Sequence, residues 1–287
     1  LEVGQLALAD EHLETTAQIA RDLRQPAYLW NVELLRSARA ILAGDLTEAE
    51  RLAMSAFEIG QSALLPPSLA VGSMAGQLFV IRHDQGRLEE LEPMARMVLV
   101  EQPGVPSWHM TLATILVETG HHEEGREHFE LGAADHGLAV PRDAMWVTGM
   151  VLLAELSVRL GDPVRADELW HLLVPFTGRM GWGTIACAGP VDLRLGMLAG
   201  ALGRAEEAAR LLAASARLCE DLQSPTWLAR TVLEQARLAE GEERMTLATR
   251  ALAMANEVGA EGIARRVREL LGESEPNPQR MRTDKEA

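Results

Sequence analysis

Residues 41 to 60 read ILAGDLTEAERLAMSAFEIG, and this stretch decides how the chain folds. An apolar run stops at Gly44-Asp45, after which Ala49, Ala53 and Ala56 recur at spacings of four and three and so share one helical face. A glycine relieves the left-handed backbone that ends one helix. An acidic first turn complements the positive end of the next, and small side chains let the two helices approach closely. The segment therefore predicts a helical hairpin.

The pattern recurs. ETGHHEEGREHFELGAADHG (119–138), LGDPVRADELWHLLVPFTG (160–178) and LGRAEEAARLLAASARLCEDL (202–222) repeat it, while DQGRLEELEPMARMVLVEQPG (84–104) and AEGEERMTLATRALAMANEVG (239–259) are looser copies. The turn glycines are Gly44, Gly86, Gly120, Gly161, Gly203 and Gly241, at intervals of 42, 34, 41, 42 and 38 residues. Such periods mark stacked helical hairpins. The first helix of a unit often opens on tryptophan, as in WNVELLRSARAILAG, WHMTLATILVETG, WVTGMVLLAELSVRLG and WLARTVLEQARLAEG. The expectation is an all-α, right-handed α-solenoid of about six repeats over residues 26–272. A partial N-terminal repeat helix in 1–25 means that the chain opens mid-repeat, and residues 273–287 form a disordered tail. Pro- and Gly-bearing connectors separate the units. The longest, TGRMGWGTIACAGP (177–190), is expected to be irregular and exposed.

Composition narrows the function. The 287 residues are 47% hydrophobic but only 4% aromatic, which suits Ala/Leu helix packing. A formal charge of −15 opposes phosphate-driven binding, so neither nucleic acid nor an anionic membrane surface is an expected partner. Of 27 basic residues 26 are arginine, and the sole lysine is Lys285. A Walker A loop, a Schiff-base lysine and a kinase-type phosphate-anchoring lysine are thereby excluded from the repeats. Cys187 and Cys219 have no metal-binding or disulfide spacing, and no signal peptide or long apolar span is visible, so the chain is read as cytoplasmic and without cofactor.

Around Gly120 the offsets of Leu112, Ala113, Leu116, Phe129 and Gly132 match the tetratricopeptide pattern, as do Leu195, Gly196, Ala208 and Leu212 around Gly203, whereas Glu33 and Arg82 depart from it. More broadly, LRQPAYLWNVELLRSARAILAGDLTEAE (23–50), QGRLEELEPMAR (85–96), PRDAMWVTGMVLLAELSVRLGD (141–162) and SPTWLARTVLEQARL (224–238) resemble the TPR-like helical-repeat region of large bacterial multidomain signalling ATPases. That resemblance implies a non-catalytic sensory and protein-interaction region. It would regulate an attached ATPase whose effector is a class III adenylate/guanylate cyclase or a LuxR/SARP-type transcription regulator. The polar ending GESEPNPQRMRTDKEA, with no helix-turn-helix, leans toward the cyclase arrangement.

Repeat solenoids bind on the concave face lined by their first helices. Polar residues within those helices, Thr114, Glu118, Glu155, Arg159, Arg194, Arg230 and Arg237, are therefore the candidate binding residues, with an arginine row suited to clamping a carboxylate or acidic peptide. The partner expected from the resemblance is the neighbouring ATPase module. The alternative is a small-molecule inducer bound in a groove near 177–190. His121, Glu124 and His128 share a helical face and offer an incomplete zinc set, for which a solvated polar turn is the plainer reading. Tryptophans 30, 108, 146 and 227 are read as core anchors rather than a stacking platform, and Cys187 as an inert thiol.

Overall fold

The computed structural model describes residues 1–63, 65–102, 104–133, 142–143, 145–183 and 187–272. The expected tail lies outside the described residues, as do 134–141 of one connector and 184–186 of another.

Among the described residues, helix α1 (Leu6–Leu23) precedes five packed hairpins, α2 (Pro26–Ala43) with α3 (Leu46–Ser62), α6 (Pro106–Glu118) with α7 (His122–Gly132), α8 (Trp146–Arg159) with α9 (Pro163–Leu173), α10 (Val191–Ala201) with α11 (Ala205–Asp221), and α12 (Pro225–Leu238) with α13 (Gly241–Glu257). Between the first two, α4 (Pro67–Gln85) packs on the 3-10 turn Leu88–Leu91, and α5 (Glu92–Glu101) follows that turn and packs on α6. Helix α14 (Glu261–Leu271) closes the series. The fold is an all-α helical repeat.

Local chemistry accounts for the boundaries. Pro26, Pro67, Pro106 and Pro225 each open a first helix, where their fixed φ and missing N–H cost nothing. Gly44 ends α2 in the left-handed region at φ 78°, and Asp45 then caps α3 by accepting from the Glu48 amide at 3.0 Å. Ala49, Ala53 and Ala56 are wholly buried, and the Ser37 hydroxyl of α2 donates to the Ala49 carbonyl at 2.9 Å. The alanines of the opening stretch are thus the seam of the hairpin. Asp162 repeats the cap at α9, accepting from the amides of Val164 and Arg165.

The long connector departs from expectation. Residues Met180–Trp182 (β1) and Cys187–Pro190 (β2) pair as a short antiparallel hairpin, and all four residues of β2 are buried. It is not an exposed loop because its small residues let backbone pass between packed helices. A Cβ on Gly189 would come within 2.5 Å of the Trp227 ring, and one on Gly181 within 3.2 Å of Val151.

The two ends of the repeat stack also meet, which the repeat pattern alone did not foretell. Helix α14 packs on α4, and α12 on α2. Gly86 ends α4 at φ 72° with its Cβ position 2.9 Å from the Gly262 amide, while a Cβ on Gly262 would lie 2.3 Å from the His83 carbonyl oxygen. Only two glycines permit that approach. Leu6 and Leu42 share a core cluster with Met180, Cys187, Leu222 and Trp227, and the Met180 amide donates to the Glu2 carbonyl at 2.8 Å. The first helices consequently face an interior shared by both halves of the chain.

Candidate functional site

Into that interior the first helices carry charge. His83 and Asp84 end α4, Glu118 ends α6, Glu155 and Arg159 lie on α8, Arg194 on α10 and Arg230 on α12; α14 adds Arg266. Each sits where the helical period brings its side chain inward with the apolar stripe. Asp84 has no exposed surface and Arg194 only 2%.

The groups form one connected ion-pair cluster. Glu155 takes Arg194 Nη2 on Oε2 at 2.7 Å and Arg159 Nη2 on Oε1 at 3.1 Å. Glu118 Oε1 lies 2.8 Å from Arg266 Nη2, 3.2 Å from Arg159 Nη1 and 3.5 Å from His83 Nε2. Arg230 donates through Nε to Asp84 Oδ1 at 3.1 Å and through Nη2 to His83 Nδ1 at 3.0 Å. Arg266 Nη2 also stands against His83 Nε2, so guanidinium donors face both ring nitrogens and the neutral imidazole can accept from only one of them.

Burial raises the carboxyl pKa values of Glu118 and Glu155, but their guanidinium neighbours, Arg266 and Arg159 for the first and Arg194 and Arg159 for the second, outweigh it and hold both well below the ordinary range. His83 is driven down to about 4, first by burial and then by Arg230 and Arg266, so it is neutral near pH 7. Burial, with Arg159 close by, lowers Arg266 to about 10. Four guanidinium groups (Arg159, Arg194, Arg230, Arg266) face three carboxylates (Asp84, Glu118, Glu155), and Glu234 of α12 also acts on Arg159 and Arg194 while pairing with Arg237, so with that pair included five guanidinium groups stand against four carboxylates.

Beside the cluster lies a cavity of about 720 Å³. Phe79, Trp108, Met110 and Leu152 supply apolar wall, Gly72, Ala75 and Gly76 of α4 leave it open, and His83, Glu155, Arg194 and Trp227 bring the charge cluster to it. Cys187 and Ala188 of β2 also line it. The Cys187 thiol is pushed up to about 12 by burial and stays protonated, which makes it wall rather than nucleophile.

Five of the seven residues picked from the sequence, Glu118, Glu155, Arg159, Arg194 and Arg230, meet in this cluster, but they are turned into the protein and paired with one another rather than displayed on an open face. Thr114 is buried and donates to the Met110 carbonyl within its own helix, and Arg237 pairs with Glu234 at 3.3 Å on the periphery. Of the tryptophans, Trp30 and Trp146 are core anchors, whereas Trp108 and Trp227 line the cavity. Trp227 carries the Arg230 guanidinium 4.8 Å and that of Arg194 5.5 Å from its ring centroid.

The zinc candidates are engaged elsewhere. Glu124 takes Arg96 at 2.6 Å, His121 Nδ1 meets the Thr119 hydroxyl at 3.0 Å, and His128 Nδ1 meets His109 Nδ1 at 2.9 Å. Among the described residues the His/carboxylate group that converges is His83, Glu118 and Glu155, within 4.8 Å. It does not suit a cation. Both carboxylates are already held by guanidinium groups, His83 Nδ1 faces Arg230, and the surroundings are net positive.

His83, Asp84 and Arg266 were not among the residues named from the sequence, whereas Cys187 and Ala188, from the 177–190 stretch near which a groove was expected, do line the cavity. A signal existed for Arg266, which falls on the Ile263, Val267 and Leu270 stripe of α14, a costly place for an unpaired charge. Comparison of the sequence with protein-family models and with curated proteins finds no match.

Proposed function

We propose that the chain is a sensory module that binds a small, largely apolar molecule inside its helical stack. The observation that carries this reading is the cavity of about 720 Å³, bounded by five first helices and β2 and bordered by a paired charge cluster. Size, apolar lining and a few convergent polar groups are the attributes of a small-molecule site. A protein partner is the less supported occupant, because the charged residues that would have met it are buried and already paired.

In keeping with the resemblance to signalling ATPases, occupancy would bias an attached module. The cavity is bordered by α4, α6, α8, α10 and α12, and α4 also carries the docked α14, so a ligand that fits only the closed arrangement shifts the population toward it. An ATPase with a cyclase or transcription-regulator effector remains the expected recipient.

A neutral apolar dye, N-phenyl-1-naphthylamine, tests the cavity directly. Its fluorescence should rise saturably with one site per chain. Gly72→Trp should abolish the rise without lowering the thermal midpoint, since a Cβ at Gly72 meets nothing within 4 Å and the indole has open space to fill. A dye signal unchanged by Gly72→Trp would place binding elsewhere and remove the basis of the proposal.

A further inference from the structure

The charged end of the cavity holds unused hydrogen-bond donors. Arg194 Nε, Trp227 Nε1 and Thr148 Oγ1 are buried without a partner, and all three residues line the cavity. Arg194 is 2% and Trp227 3% exposed, so solvent does not satisfy them readily. The first two can only donate, and buried donors without acceptors are rare and costly. Arg194 is otherwise fully employed, with Nη2 on Glu155 and its guanidinium over the Trp227 ring, so its Nε and the indole N–H belong to one local assembly.

The same end carries one more guanidinium than carboxylate. An incoming acceptor with a single negative charge would meet the donors and balance the cluster. A neutral amide would meet one requirement only. A second negative charge would fall among Phe79, Trp108, Met110 and Leu152 with no counter-ion, at a large desolvation cost. Asp143, the other acid bordering the cavity besides Glu155, has its Oδ1 occupied by the Met145 amide.

We propose that the ligand is an apolar monocarboxylate, its carboxylate accepting from Arg194 Nε–H and Trp227 Nε1–H and its hydrocarbon body lying along α4, α6 and α8. This inference rests on the cavity reading above and adds the head group to it. Thr148 supplies a further hydroxyl on the same wall.

The test is displacement of N-phenyl-1-naphthylamine from the 287-residue chain by decanoate, decanamide and the dicarboxylate sebacate. Decanoate should displace the dye at about tenfold lower concentration than decanamide, or about 1.4 kcal/mol, and sebacate should fail. Trp227→Phe keeps a ring under both guanidinium groups and removes the N–H; with each displacement read against that variant's own dye affinity, it should bring decanoate to the level of the amide. Arg194→Gln should do the same, but it also takes from Glu155 one of its two guanidinium partners, so Trp227→Phe is the decisive variant. Equal displacement by acid and amide, or an acid preference that survives Trp227→Phe, would overturn the head-group assignment and leave the cavity reading standing. Failure of dye, acid and amide alike to bind would remove both.

Discussion

His83 lies inside the protein with a guanidinium against each ring nitrogen, and its pKa of about 4 against an ordinary 6.5 ties stability to pH. Between those values the unfolded chain holds a proton on this imidazole that the folded chain refuses, so stability rises with pH across that window. The effect amounts to about 3 kcal/mol. Glu118 and Glu155, both depressed, add stability that is present above about pH 4.5 and lost below it, so the two contributions follow one another. Urea midpoints should therefore fall from pH 7 to 5 in the native chain, before carboxylate protonation begins. His83→Gln should flatten that upper part and spare the lower; an unaltered slope would assign it to other groups. At the same scale, Glu155→Gln leaves Arg194 and Arg159 short of a buried counter-ion and should cost about 3–5 kcal/mol in urea unfolding. Glu48→Gln, which breaks an exposed pair with Arg51, should leave the midpoint where it was.

Among the elements, α14 reaches α4 through one close backbone contact. Its stripe of Ile263, Val267 and Leu270 covers the end of the stack, but its approach to α4 requires the bare Gly262 backbone against the His83 carbonyl. Gly262→Ala suits a helix by propensity, so an isolated helix would gain from it. In the protein the added Cβ would meet backbone at 2.3 Å, and the net effect should be destabilising. Hydrogen exchange localises the damage: α14 amides should lose protection while those of α6 and α7 keep theirs. Uniform loss would mean instead that α14 undocks only as the whole chain unfolds. The β1–β2 hairpin shows the same dependence in another form, since its placement against Trp227 and Val151 requires Gly189 and Gly181.

Across the whole molecule, linear repeat stacks gain stability from neighbour to neighbour. Here α4 also meets α14 and α2 meets α12, so distant hairpins are coupled through contacts and through the charge cluster. A ligand in the cavity touches both halves. Saturating decanoate should therefore slow amide exchange in α4 and α12 together, and in the docked α14. Protection confined to a single hairpin would argue against such coupling.

Hairpins, their order and their turn residues were legible in the sequence because they arise from local physics: a 3.6-residue apolar period, glycine at helix ends, proline at helix starts and caps such as Asp45 and Asp162. Five cluster residues could be named for the same reason, since a charge on the inward face of a first helix is visible as a break in that period. That these charges would meet depended on the stack bending until α14 reached α4 and Trp227 reached β2. Arg266 and Asp84 are 182 residues apart, and no local pattern relates them. Tertiary structure alone decided that the charges pair inside the protein rather than face an open groove, because removing so many ions from water is tolerable only where partners from six separate helices arrive together.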